Sequence, residues 1–247
     1  MNAPVVDTRA GSRHVAADAR GLDFFEIDHQ LRALLELYCP DDLRRHMWPH
    51  WQRLGRIAGG RLDELAAIAE RHKPVLHARD RFGRDEEWIE HHPAYHEMER
   101  IAFEQFGLHA MSHVPGVLGW PAPVPPIAKY AFTYLFVQAE FGLMCPISLT
   151  DTGLHMMRKF GSDELKRKFA DRVVLQDRDA MLRCSQFMTE KAGAPTSGWS
   201  RPWRYRKAIT GASMARSGSA AIPTRTSPCC WPAPRAGPPG PPDLACS

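Results

Sequence analysis

The feature that most constrains this chain is a break in its composition after Gly193. Residues 194–247 hold ten of the 21 prolines, with seven basic residues and a single acid, Asp243. The net charge of +4 is therefore carried by that tail and not by the first 193 residues. No apolar period of 3.6 or 2 survives there for more than a few residues, and proline recurs from Pro195 to Pro242. Such a segment cannot bury enough apolar surface to offset its ordering entropy. The tail is expected to be disordered, and folding is expected to stop near 193.

The first 193 residues read as helices. Ile27, Leu31, Leu34, Leu35 and Tyr38 fall on one helical face. Asp41 is placed to cap a second helix through Leu43, Met47, Trp51 and Leu54, which Pro49 should bend or start. Leu62, Leu65, Ala66 and Ala69 mark a third helix over Arg61–His72. A loop with turn residues Asp80, Gly83, Arg84 and Asp85 leads to a helix opening at Pro93, with Tyr95, Met98, Ala102, Phe103 and Phe106 inward and Gly107 as its stop. Val114–Pro126 is a Pro-rich structured loop. Ile127–Met144 is apolar nearly all round and predicts a buried helix. Pro146–Phe160 forms the next helix, and Ser162 caps the last, Asp163–Leu175. Met181–Thr189 loses the helical period and suits a first β-strand. The expected order is a flexible N-terminus (1–24), an α-helical domain (25–180), the first strand of a β-domain (181–193) and the tail (194–247).

Composition excludes several classes. The chain has 44 % hydrophobic and 24 % charged residues, so it is globular, and no apolar run reaches the ~20 residues that span a bilayer. The N-terminus lacks the apolar core of a secretory signal, and six cysteines without regular spacing form neither a disulfide framework nor a zinc pattern. A cytoplasmic location without membrane contact is expected. His91, His92, His96 and Glu97 invite a metal reading, because His92 and His96 are one turn apart. With Pro93 opening a helix between them, capping and packing is the better reading, and no metal is expected. Cys145 precedes Pro146 at a helix start, where a nucleophile is chemically reasonable, yet a buried free thiol is commoner. Cys229 and Cys230 have no partner pattern. Trp199–Lys207, basic and Trp-containing, has the chemistry to meet phosphates and bases, so a helical protein with a nucleic-acid-binding tail is the competing reading.

The run QFMTEKAG (Gln186–Gly193) carries the most information. It resembles the strand-and-loop signature of the acyl-CoA dehydrogenase family. HPAYHEM (92–98), FVQAEFGLMCPISLT (136–150) and GLHMMRKFG (153–161) resemble its helical domain, nearest the adaptive, alkylation-response branch. The resemblance covers about residues 25–193. It implies a mainly α fold: the helical bundle of that family's N-terminal domain, then the first strand of an incomplete β-domain. It implies FAD as cofactor, with Gln186, Phe187, Met188, Thr189 and Gly193 lining the flavin. It also implies an acyl-CoA thioester as substrate and a homo-oligomer. That branch is associated with DNA through its C-terminal domain, which these residues do not match.

The family continues with Gly-Ser-Asp where this chain has Ala194-Pro195-Thr196-Ser197. Codons exist for Ala194–Arg204 that, read one base earlier, encode GSDVGLVETVA. The same choice from Tyr205 onward recovers a Lys-Trp-Phe strand motif. A shifted reading frame after Gly193 is therefore expected, giving a truncated flavoprotein. The family's catalytic carboxylate belongs to a C-terminal domain, so no catalytic residue is assigned here and the chain is expected to be inactive.

Overall fold

The computed structural model describes residues 17–186 and 212–216. The entry segment is tied down from its first described turn. Gly21 N donates to Gly59 O at 2.5 Å, and Arg20 pairs with Asp63 at 2.8 Å. The N-terminal stretch expected to be flexible is thus anchored over 17–24. Helix α1 (Phe24–Ile27) begins at Asp23, whose side chain accepts from Phe25 N and Glu26 N, and it buries Phe24 and Phe25. Asp28 then caps α2 (His29–Tyr38). The expected continuous helix over Ile27–Tyr38 is therefore two, and of its five apolar members only Leu35 is buried, while Ile27, Leu34 and Tyr38 are exposed.

Helix α3 (Asp41–Ile57) starts after Pro40, so Asp41 is its first residue and not its cap. Pro49 sits inside it. Both Pro49 and Arg45, whose carbonyl loses its partner, face solvent, and the helix continues through the proline. Leu43, Met47, Trp51 and Leu54 form its buried stripe. The helix then widens to a π segment over Ala58–Leu62 and continues as α4 (Asp63–Arg71). Gly59 explains the position of this bulge. A Cβ there would collide with Leu22 O and approach Phe24 Cδ1 at 2.8 Å. The backbone has to come this close for Gly21 to bond across.

The sequence between α4 and the next helix, read as a loop, is a β-hairpin. Strand β1 (Val75–Arg79) pairs antiparallel with β2 (Asp85–Glu90). Asp80 Oδ1 accepts from the amides of Phe82 and Arg84, and Gly83 takes φ +81°, closing the turn. Helix α5 (Pro93–Glu99) passes into a second π segment, Arg100–Gln105. Helix α6 (Pro126–Ala139) is not buried all round: Tyr130 and Tyr134 are exposed, and the chain breaks at Glu140 before α7 (Met144–Phe160). Ser162 Oγ accepts from Leu165 N to cap α8 (Asp163–Val173).

Two apolar clusters result. The larger joins α1 to α6 around Trp51, Phe103, Phe106, Phe132 and Phe136. The smaller joins α7, α8 and strand β3 (Leu182–Gln186) through Leu154, Met157, Leu165, Val173, Leu182 and Cys184. Strand β3 pairs antiparallel with β4 (Ala212–Arg216), from Leu182↔Arg216 to Gln186↔Ala212. The composition of the tail predicts no persistent structure; residues 194–211 and 217–247 lie outside the described residues, and the five residues of β4 are the part of the tail that is described. They lie in the longest proline-free run of the tail, Trp203–Ile222, where nothing removes a ladder donor. The mainly α architecture with a first β-strand after it is as the sequence implies; the strands at β1, β2 and β4 are additions to it.

Gly59→Ala is expected to destabilise the fold by about 1–3 kcal/mol through overpacking against Leu22 and Phe24. Gly60→Ala, with nothing within 4 Å of the added Cβ, should be neutral or gain up to about 1 kcal/mol. Urea denaturation of the two variants reads the difference.

Candidate functional site

Strand β3 is the element on which the sequence places cofactor contacts, and α7 is its seat. Thr150 in α7 donates from Oγ1 to Pro146 O at 2.7 Å, which leaves its lone pairs for Cys184 N in β3 at 3.3 Å. Three residues on, Gly153 removes the Cβ that would stand 2.7 Å from Cys184 Sγ. One helix face thus supplies a hydrogen-bond acceptor and then a notch. Burial pushes the Cys184 thiol up to about 12, so this cysteine packs and does not react.

The other side of β3 is held by charge. Glu99, 2 % exposed, accepts from Arg183 Nη1 at 2.5 Å and from Arg178 Nη1 at 3.2 Å. His96 Nδ1 adds a third bond at 3.0 Å, and the Arg183 guanidinium lies 4.9 Å from the Phe103 ring centre. Burial pushes the Glu99 carboxyl up, but the Arg183 charge and the bonds from Arg183 and His96 outweigh it and hold the group below the usual carboxylate range. Beneath this lies a second buried polar group. Asp151 of α7 bonds His113 Nε2 at 2.8 Å and also pairs with buried Lys129 of α6. Burial raises the Asp151 carboxyl, and the hydrogen bonds from His113 and Lys129 carry it below its ordinary value.

His109, 1 % exposed, packs edge-on to the Phe103 ring at 5.1 Å and feels the charges of Asp151 and Arg183. Its Nε2 donates to Leu175 O at 3.1 Å, which fixes the neutral tautomer, and its Nδ1 has no hydrogen-bond partner. Burial drives its pKa down to about 4 against the bond to Leu175.

The residues singled out in the sequence fall differently. Gln186 ends β3, paired with Ala212. Phe187, Met188, Thr189 and Gly193 lie outside the described residues, as do Cys229, Cys230 and Trp199–Lys207. Of the five positions expected to line a flavin, the described residues include Gln186 alone. An open hollow lined by Glu36, Arg44, Arg45, Trp48 and Pro49 belongs to α2 and α3 and shares no residue with β3 or α7. The histidine group is dispersed among separate tasks. His92 Nδ1 accepts from Ala94 N as the α5 cap, its ring stacks on His72, His91 stacks on Tyr95, and Glu97 takes the Arg61 guanidinium. Among the described residues no group of three His, Cys, Asp or Glu is placed to hold a metal. Cys145 is exposed in the first turn of α7, contrary to the buried role expected of it. Glu99, Arg178 and His109 went unread in the sequence, since a buried charge whose partners lie about eighty residues away leaves no local pattern.

The polar layer sets two expected outcomes. Glu99→Gln leaves the buried Arg183 guanidinium without its carboxylate, while Arg178 keeps Asp179 at 3.0 Å, and should cost about 3–5 kcal/mol in urea denaturation. His109 ionises only on unfolding between its unfolded value near 6.5 and its folded value of about 4. Its contribution is complete above 6.5 and is lost as pH falls toward 4, a change of about 3 kcal/mol. His109→Gln should flatten that part of the stability–pH curve.

Residues 15–180 match the family model described as the adaptive response protein AidB N-terminal domain. Among solved structures, the chain is similar to the apo form of Bd2924, with TM-score 0.61 and 21 % identity over 70 % of this chain and 34 % of that one. It is also similar to Caenorhabditis elegans ACDH-11 in complex with C11-CoA, with TM-score 0.59 and 20 % identity over 76 % of this chain and 32 % of that one. The chain thus spans about a third of the length of these structures, and at such identity the likeness shows the fold. No match was found among curated proteins. No described helix is long and apolar enough to cross a membrane. The match over residues 15–180 gives the family: the chain belongs to the AidB N-terminal domain family, with the N-terminal fold of the acyl-CoA dehydrogenase family.

Proposed function

We propose that this chain is the helical wall and first flavin-facing strand of an FAD-dependent enzyme acting on acyl-CoA thioesters. The observation that carries the reading is the seating of β3. Thr150 and Gly153 hold it against α7, and Glu99 clasps Arg183. The strand then ends at Gln186, where the flavin-contact run begins. Gln186, Phe187, Met188, Thr189 and Gly193 would line the cofactor. FAD, when bound, supplies the hydride acceptor for oxidation at the β-carbon of an acyl chain. The role of the described residues is to fix the position and direction of one strand under that ring. The acyl-CoA class rests on the family and on a structural neighbour solved in complex with C11-CoA.

The tail after Gly193 is read as out-of-frame sequence. On that reading the 247-residue chain binds no flavin and does not oxidise acyl-CoA. A ligand of this size needs most of its surface enclosed, and backbone bonds worth about 1 kcal/mol each cannot offset the freedom lost on binding. The test is a visible spectrum after size exclusion of the 247-residue protein and of one with the frame restored near Gly193. A colourless first protein and a yellow second are expected. Stoichiometric flavin on the 247-residue chain would overturn the truncation, and a colourless restored protein would overturn the flavoenzyme reading.

A further inference from the structure

Three buried side-chain polar atoms have no hydrogen-bond partner among the described residues: Arg32 Nε, His109 Nδ1 and Arg183 Nε. Arg32 stands apart on α2, bonded to Glu26 and His29. The other two side chains lie against one ring. The Arg183 guanidinium carbon is 4.9 Å from the centre of Phe103, and the His109 ring centre is 5.1 Å from the same point. They are near enough for the Arg183 charge to act on His109. A buried donor and a buried acceptor left unmet each carry a desolvation penalty that folded chains rarely leave standing.

Neither side chain is free to turn toward a protein partner. His109 donates from Nε2 to Leu175 O at 3.1 Å and packs edge-on to Phe103, so its ring plane and its tautomer are both set. Its Nδ1 is then an acceptor only. Arg183 gives Nη1 to Glu99 Oε1 at 2.5 Å, and its planar guanidinium is held against Phe103, which fixes the direction of Nε–H. Its Nε is a donor only. The missing partner must therefore accept one hydrogen bond and donate another. It must be neutral, because Glu99 already answers the Arg183 charge and burial keeps His109 uncharged. It must also be small, since Phe103 is 0 % and His109 1 % exposed.

We propose that a buried water molecule occupies this place, accepting from Arg183 Nε and donating to His109 Nδ1. Water is the smallest neutral molecule that offers both functions, and interior waters characteristically serve polar atoms that the protein leaves over. The bridge completes a line of hydrogen bonds across the domain. Leu175 O, just past α8, holds His109; the water joins His109 to Arg183 in β3; and Arg183 continues to Glu99 and His96 in α5. His109 thereby acts on β3 through the water, as a positioning residue. The proposal stands apart from the flavin reading, since it concerns only how β3 is held.

A crystal structure of the whole 247-residue chain, at a resolution that shows ordered solvent, tests the site directly. One solvent peak about 2.7–3.2 Å from both His109 Nδ1 and Arg183 Nε is expected. No peak, a peak within reach of only one of the two, or a protein atom bonded to either would overturn the proposal. The positioning role is read by amide hydrogen exchange. His109→Gln keeps a donor for Leu175 O and loses the ring acceptor at Nδ1. It is expected to speed exchange of the Cys184 amide in β3 about tenfold more than that of Leu54 in α3. Equal acceleration at both amides, or no change at Cys184, would show that His109 does not hold the strand. The peak in the unaltered chain decides the site whether or not the variant folds.

Discussion

The structure turns on a carboxylate placed where a carboxylate alone could not stay. Glu99 lies inside the bundle at the point where α5 becomes a π segment, and its charge is tolerable only because Arg178, Arg183 and His96 surround it. That requirement works in both directions. The bundle needs the two arginines to remain folded around Glu99, and the strand that carries Arg183 has no other charged anchor in the described residues. The same bond therefore closes the helical domain and aims the chain out of it. Apolar packing of Leu182 and Cys184 on α7 adds affinity for the seat, but hydrophobic contact is non-directional. The hydrogen bonds to Thr150 and Glu99 set the register.

Much of the helical domain was legible because its helices bury stripes. Leu43, Met47, Trp51 and Leu54 in α3, and Met98, Ala102 and Phe103 in the helix after Pro93, carry the 3.6 period into the core as read. The period misled where apolar residues do not face the bundle. Leu34, Tyr38, Tyr130 and Tyr134 have the spacing of a core face and stand exposed. The hairpin was missed for a related reason: its strands bury nothing, so neither has a solvent-and-core alternation to display, and Asp80 and Gly83 read as loop residues. Pro49 was over-read, because a proline on the wet side of a helix costs less than one in the core.

The site was legible only in its first part. The acyl-CoA dehydrogenase-like motifs led to β3 and to the seating helix, and within GLHMMRKFG the glycine at 153 has a visible task against Cys184. The polar layer beneath the strand was illegible. Lys129 and Asp151 are ordinary charges in sequence, separated by 22 residues, and their pairing exists only because α6 and α7 bring them into one buried place. Histidines gave the reverse lesson. His91, His92 and His96 look like a metal cluster when read along the chain, whereas in space each is spent on a different ring, amide or carboxylate.

The clasp at Glu99 also orders events in time. Its partners Arg178 and Arg183 are 79 and 84 residues further along the chain. Contacts that distant pay their loop-closure entropy late, after local helices have condensed. As the chain leaves the ribosome, α1 to α6 can gather around Trp51 and Phe132 before Arg183 has been synthesised, with Glu99 still open to solvent. Arrival of β3 then seals a carboxylate that was wet a moment earlier. The closing of the clasp is a desolvation, and the side chains that complete it are encoded no further along than β3. Every partner of Glu99 is thus encoded before Gly193, whereas the strand that pairs with β3, Ala212–Arg216, is encoded after it.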